Sequence, residues 1–243
     1  MKSNKYTPKR PNPKQLNTPL VETKFEAGNP VAKREMPIWL KDLVNLLIFF
    51  VAVLSIAWLI NRFVFQSFNV VGPSMEPTLD GEITHDRLIV NRLPVSLAAI
   101  QGKQYMPSRG DIIVFKNPTH DGTMQSDEYI VKRVVGLPGE RIAIKKCVLK
   151  VYNENHPKGY NPYPDFRNIP KLDGDINTCV SGDGTNVRVP AGHLFVVGDH
   201  RIGNYSMDSR DGNNRASLGT IPIGDVIGPV TMRIWPFSKF KVY

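Results

Sequence analysis

A serine, a lysine and one polar block are the residues of this chain best placed to do chemistry. Ser74 lies in residues 69–79, NVVGPSMEPTL, where a short β-rich run meets Gly72-Pro73 and then Pro77. A stiff turn at a strand end exposes such a serine and leaves its backbone N–H to face a ligand, although serines in Gly/Pro turns are ordinary. Lys132 lies in residues 129–140, YIVKRVVGLPGE, an apolar strand closing on a Gly/Pro turn. Alternate residues share a strand face, so Lys132 sides with Ile130 and Val134, and Arg133 with Val131 and Val135. One of the two adjacent cations must therefore face the core. A lysine there becomes a base at neutral pH if its usual pKa of about 10.4 falls by roughly 3 units, at about 1.4 kcal/mol each. An arginine cannot serve in that way. The plainer alternative is a lysine that snorkels to the surface.

Residues 198–213, GDHRIGNYSMDSRDGN, are too polar for a core strand. Asp208 and Arg210 are spaced to pair, and Ser206 could donate a hydrogen bond to a lysine's amine. Asp199-His200 also invites a Ser/His/Asp arrangement with Ser74, but an aspartate next to its histidine in sequence is poorly placed to orient the imidazole. No spacing suits a metal: DGDINTCVSGDG at 173–184 lacks the ordered carboxylates of a calcium loop. No cofactor is expected.

The elements that would hold these residues are strands. Short β-rich runs occur at 68–71, 87–91, 111–115, 129–135, 141–144, 148–152, 187–189, 193–197 and 226–234, separated by Gly, Pro, Asp and Asn, with no strong helical period between them. The pattern predicts a mainly β fold, an antiparallel sheet or barrel-like catalytic domain over 66–146 and 187–243, and disfavours a parallel α/β fold. Residues 147–186 read as a smaller, irregular β subdomain inserted into it. Cys147 and Cys179 bracket most of this insertion and could close a loop in an oxidising exterior, or remain two buried thiols.

The 243 residues carry a formal charge of +9, distributed unevenly: +5 in residues 1–36, +1 in 37–62 and +3 over the rest. A nucleic-acid binder would concentrate its cations on the folded domain, so no nucleic-acid partner is expected. The excess sits instead beside LVNLLIFFVAVLSIAWLI at 43–60, a stretch without charge. With its flanks, 37–65 is long enough to cross a bilayer, and the basic side stays cytoplasmic. A cleaved secretory leader would need a charged segment of some forty residues before its apolar core, and no small-x-small site follows Ile60. The Pro-rich, apolar-poor tail at 1–36 is expected to be disordered and cytoplasmic, with residues beyond 65 on the outer face.

Together these stretches resemble the bacterial type I signal peptidases, the leader peptidases. The resemblance rests on an anchor followed by GPSMEPTL at 72–79, RGDIIVFK at 109–116, YIVKRVVGLPG at 129–139, and GDHR with SMDSR within 198–210. It implies a Ser-Lys serine endopeptidase of the bacterial plasma (inner) membrane that removes signal peptides from exported preproteins. Ser74 falls on the family's nucleophile and Lys132 on its general base, while Ser206, Asp208 and Arg210 fall on supporting positions. Its implied partners are such preproteins, cut after small side chains, and the lipid bilayer. Three departures stand out. Four residues separate Arg201 from Ser206 where the family has two, His200 replaces an Asn, and Gly72 stands where some members place an oxyanion-binding Ser. Backbone donors would then complete the oxyanion site near Gly72.

Overall fold

A computed structural model describes residues 37–119, 128–146, 148–166, 184–201, 206–210 and 217–243. The expected tail, Cys147 and Cys179 lie outside the described residues. The chain divides into two units, residues 1–49 and 50–243. Helix α1, Ile38–Phe63, begins in the first and ends in the second. Its 26 residues reach a mean hydropathy of 2.7 in their most apolar window, and none is buried. A helix of this length spans about 39 Å and satisfies its backbone internally, as a hydrocarbon layer requires.

The second unit is mainly β, and its strands pair antiparallel throughout. Numbered in chain order, the larger sheet runs β1 (Phe65–Asn69), β2 (Arg87–Asn91), β11 (Val226–Trp235), β3 (Ile112–Lys116), β4 (Tyr129–Gly136), β9 (His193–Val197), β10 (Ile221–Pro222), with β12 (Lys241–Val242) against β11. Strand β11 is the hinge of this sheet. It pairs with β2 through its later half and with β3 through its earlier half, and three register shifts interrupt it. Bulges of this kind bend a strand and increase its twist, which curls the sheet. A second sheet, in the order β7 (His156–Tyr160), β6 (Val148–Asn153), β5 (Arg141–Lys145), β8 (Asn186–Arg188), begins at Arg141 and closes at Arg188. These limits enclose the excursion at 147–186.

Helix α2, Leu93–Ile100, and strands β7, β10 and β12 depart from the sequence expectation, and β1 begins three residues before the run at 68–71. Helix α2 reads LPVSLAAI and buries none of its residues. Eight nearly uniform apolar residues leave no polar face, so no helical period was visible. Strand β7 reads HPKGY, which has no β-rich alternation, and the pairing of Val151 with Tyr160 holds it in place.

Three apolar clusters fill the unit. One gathers Val70, Met75, Leu79, Leu88, Val90, Ile112, Val114 and Val230 beneath the Ser74 turn. Another packs β4 and β9 against the smaller sheet through Val135, Phe195, Val197, Ile142, Ile144 and Val151. β4 is therefore covered on both faces, and from Lys132 to Gly136 every residue is buried.

Candidate active site

The serine turn is built around two buried plugs. After β1 the chain reaches Gly72 at φ +74, a conformation that favours glycine. Gly72 bridges to Gly81, where an added Cβ would sit 2.5 Å from the Gly72 carbonyl oxygen, so the two segments meet backbone to backbone. Met75 and Leu79 are fully buried in the cluster below. The Glu76 N–H donates to Pro73 O at 2.9 Å and the Leu79 N–H to Met75 O at 2.9 Å, closing the turn. Ser74, one residue from a buried methionine, remains partly exposed on top.

Strand β4 brings the lysine to it. Lys132 pairs with Ile113 across the sheet and is 3% exposed. Its Nζ lies 2.8 Å from Ser74 Oγ and donates to Val131 O at 2.9 Å. Arg133, 1% exposed, occupies the opposite face. Its guanidinium grips both oxygens of Asp199 at 2.8 and 2.6 Å and donates to Gly110 O at 2.7 Å. Both cations are thus buried, where the alternation alone required only one. The excursion explains this, since Phe166, six residues beyond the end of β7, covers Arg133 with its ring 5.9 Å away.

The polar block folds back onto the serine turn. Asp208 accepts hydrogen bonds from the Gly198 N–H at 2.9 Å, Ser206 Oγ at 2.7 Å and the Arg210 guanidinium at 2.9 Å. Burial pushes the Asp208 carboxyl up, but the Arg210 charge and these donors outweigh it and hold the group below the usual carboxylate range. Asp199 follows the same logic: desolvation raises it, and Arg133 with Arg201 more than compensates. Ser206 Oγ faces Asp208, and a Cβ built on Gly198 would lie 2.1 Å from that hydroxyl oxygen and 2.4 Å from Ser74 O. Gly198 is the spacer that lets Ser206 and Ser74 approach from either side.

His200 contacts the serine turn through its backbone and its ring. Its N–H donates to Ser74 O at 3.1 Å, and its Nδ1 lies 3.0 Å from Pro73 O. Asp199 is committed to Arg133, so it does not orient this imidazole, and the Ser/His/Asp arrangement fails on geometry. Among the described residues no group of three or more His, Cys, Asp or Glu is placed to hold a metal ion.

Beside Ser74 and Lys132 opens a cleft of about 280 Å³, walled by residues 68–74 on one side and 129–132 on the other, with Met207 at its rim. Among the described residues strand β1 pairs only with β2, and β9 meets β4 only from Arg133 onward. Two strand edges therefore border the cleft. A family model described as signal peptidase, peptidase S26, matches residues 43–235. The chain belongs to this signal peptidase family of serine endopeptidases.

Its relatives cover nearly the same span. A signal peptidase I of Bacillus caldolyticus is 37% identical over 193 residues, 79% of this chain and 90% of that protein. A signal peptidase IB of Staphylococcus aureus is 30% identical over 210 residues, 83% and 94% of the two chains. A solved signal peptidase I from Enterococcus faecalis, 24% identical, aligns over 52% of this chain and 97% of its own with a TM-score of 0.34. Within this signal peptidase the geometry gathers all the residues singled out from sequence except Cys147 and Cys179: Gly72, Ser74, Lys132, Ser206, Asp208 and Arg210. Sequence reading missed the clasp by His200 and the spacing role of Gly198. A signal for both was available, since GDHR directly follows the apolar strand β9 and must turn back over the site.

Proposed function

We propose that this protein cleaves signal peptides from exported preproteins with Ser74 as nucleophile and Lys132 as general base. The observation that carries the proposal is the 2.8 Å approach of Lys132 Nζ to Ser74 Oγ with the lysine 3% exposed. A site this dry favours the uncharged amine that a base requires. As Ser74 Oγ bonds to the substrate carbonyl carbon, its proton passes to Nζ, which then delivers it to the departing amine as the peptide bond breaks. Water, giving its proton to the same amine, releases the acyl group and restores Ser74. Among the described residues the Ser74 N–H donates to no backbone carbonyl, so it can take the developing oxyanion together with a donor near Gly72.

The cleft supplies the substrate's place. An extended peptide can pair with the edges at 68–71 and 129–132, and side chains one and three residues before the cut then share a face. A shared cleft of about 280 Å³ suits small side chains there. Helix α1 ends at Phe63 and β1 starts at Phe65, which keeps Ser74 near the bilayer surface where a tethered substrate emerges. The basic tail assigns residues 1–36 to the cytoplasm and the β unit to the outside. The test is cleavage of a purified preprotein with a small-x-small site, with the product's new N-terminus sequenced. Ser74→Ala and Lys132→Ala should each lose at least about 10⁴-fold in rate. A membrane-tethered adaptor would keep its activity in both.

A further inference from the structure

We infer that His200 is a positioning residue for acylation, one that fixes the peptide planes on both sides of the nucleophile and thereby aims the Ser74 N–H. The inference rests on Ser74 being the nucleophile. A peptide unit is planar, so the Pro73 carbonyl and the Ser74 N–H are opposite ends of one rigid body. Holding the carbonyl sets the direction of the N–H. Pro73 O receives the Glu76 N–H at 2.9 Å and faces His200 Nδ1 at 3.0 Å. A carbonyl oxygen only accepts, so Nδ1 carries the proton and donates. The next peptide unit is held as well, because Ser74 O accepts the His200 backbone N–H at 3.1 Å. One residue thus clasps two consecutive carbonyls, and the Ser74 N–H is turned away from it.

The clasp is itself anchored. Asp199 precedes His200 and is gripped by Arg133, which follows Lys132 on β4. Strand β4 therefore sets the base directly and the nucleophile's backbone through Arg133, Asp199 and His200. Nδ1 donates in both the neutral tautomer and the doubly protonated ring, and the carboxylate facing it, Glu76 Oε2 at 3.8 Å, favours donation. The clasp holds an N–H whose bond strengthens as the oxyanion forms, so its loss should lower kcat more than it raises KM.

The test uses the full-length protein in detergent micelles with a preprotein substrate. His200→Leu removes the ring donor and should lower kcat by about 10–100-fold with KM within about twofold. His200→Asn places an amide N–H where Nδ1 stands and should restore kcat to within about threefold. Should His200→Leu fail to fold, His200→Asp decides: it has the shape of Asn without the donor and should fall as far as Leu was expected to. An unchanged kcat in His200→Leu, a change confined to KM, or equal losses in Asn and Asp would each overturn the inference. Ser74→Ala, assayed in parallel, separates the two levels: residual cleavage there would sink the nucleophile assignment and the inference with it, whereas its complete loss beside an unaffected His200→Leu would sink the inference alone.

Discussion

Replacing Gly198 by alanine should damage catalysis far more than folding. The added Cβ would lie 2.4 Å from the Ser74 carbonyl oxygen and 2.1 Å from Ser206 Oγ. The Ser206 hydroxyl can rotate away, although its Cβ at 2.9 Å cannot, and the Ser74 contact is backbone, where ordinary packing begins near 3.4 Å. Ser74 must retreat by about 1 Å, a displacement that costs on the order of 100-fold in rate when reacting groups are already aligned. Overpacking of this kind costs about 1–3 kcal/mol, and for a unit of this size each kcal/mol lowers Tm by about 2–4 °C. Gly198→Ala should therefore unfold a few degrees early yet remain folded at assay temperature, with preprotein cleavage down about 100-fold. Gly224→Ala is the control, because nothing lies within 4 Å of its added Cβ. Wild-type turnover by Gly198→Ala, with Tm lowered as expected, would refute the idea that this glycine sets the Ser74 position.

The buried carboxylates predict an acid limb. Asp199 and Asp208 are held below their usual value of 3.8, so their pairs stabilise fully above that value and lose the contribution as pH falls through the lower folded one. Thermal unfolding should thus be insensitive to these groups near neutrality and decline in acid, and Asp208→Asn should flatten the decline while costing about 3–5 kcal/mol at neutral pH by stranding Arg210. Arg133→Lys keeps the charge but cannot reach both Asp199 oxygens and Gly110 O together, and denaturant titration should find about 1–3 kcal/mol lost. Leu54→Arg, near the middle of α1, should raise the cost of insertion by about 3–4 kcal/mol and shift the protein toward the carbonate-extractable fraction.

Much of this organisation was legible because it depends on local pattern. Residues 87–91 and 193–197 form strands at the bounds read from sequence, since β-branched and aromatic runs between turn residues carry that signal alone. Helix α1 was legible for the same reason, as eighteen uncharged residues leave few other solutions. What escaped depends on contacts distant in sequence. Strand alternation required only one of Lys132 and Arg133 to be buried, and that both are follows only once the second sheet and Phe166 are laid over β4. His200 reads as a polar loop residue until the chain returns 126 positions later to the Ser74 turn, and Gly198 gains its meaning only from the two serines it separates. Strand β7 and helix α2 escaped because their sequences carry no period of their own.

On the proposed mechanism Lys132 and Arg133 divide two duties that a single cation could not combine, and the division has a measurable signature. Arg133 holds Asp199 with a charge that never titrates, and Arg210 does the same for Asp208, so both carboxylates stay ionised across the working pH range. These pairs are structural and their loss should cost stability. As the general base proposed above, Lys132 would exchange its proton during turnover, and a buried amine, even one bonded to Ser74 Oγ and Val131 O, is a cost to the fold that an apolar side chain of similar length would avoid. Lys132→Met should therefore abolish cleavage while leaving Tm unchanged or raising it by the equivalent of about 0.5–2 kcal/mol, the usual trade between function and stability at an active site. Calorimetry on the purified variant reads this directly. A marked drop in Tm would mean that the amine is a structural partner of its surroundings, and Lys132 could then no longer be assigned to proton transfer on the strength of its burial.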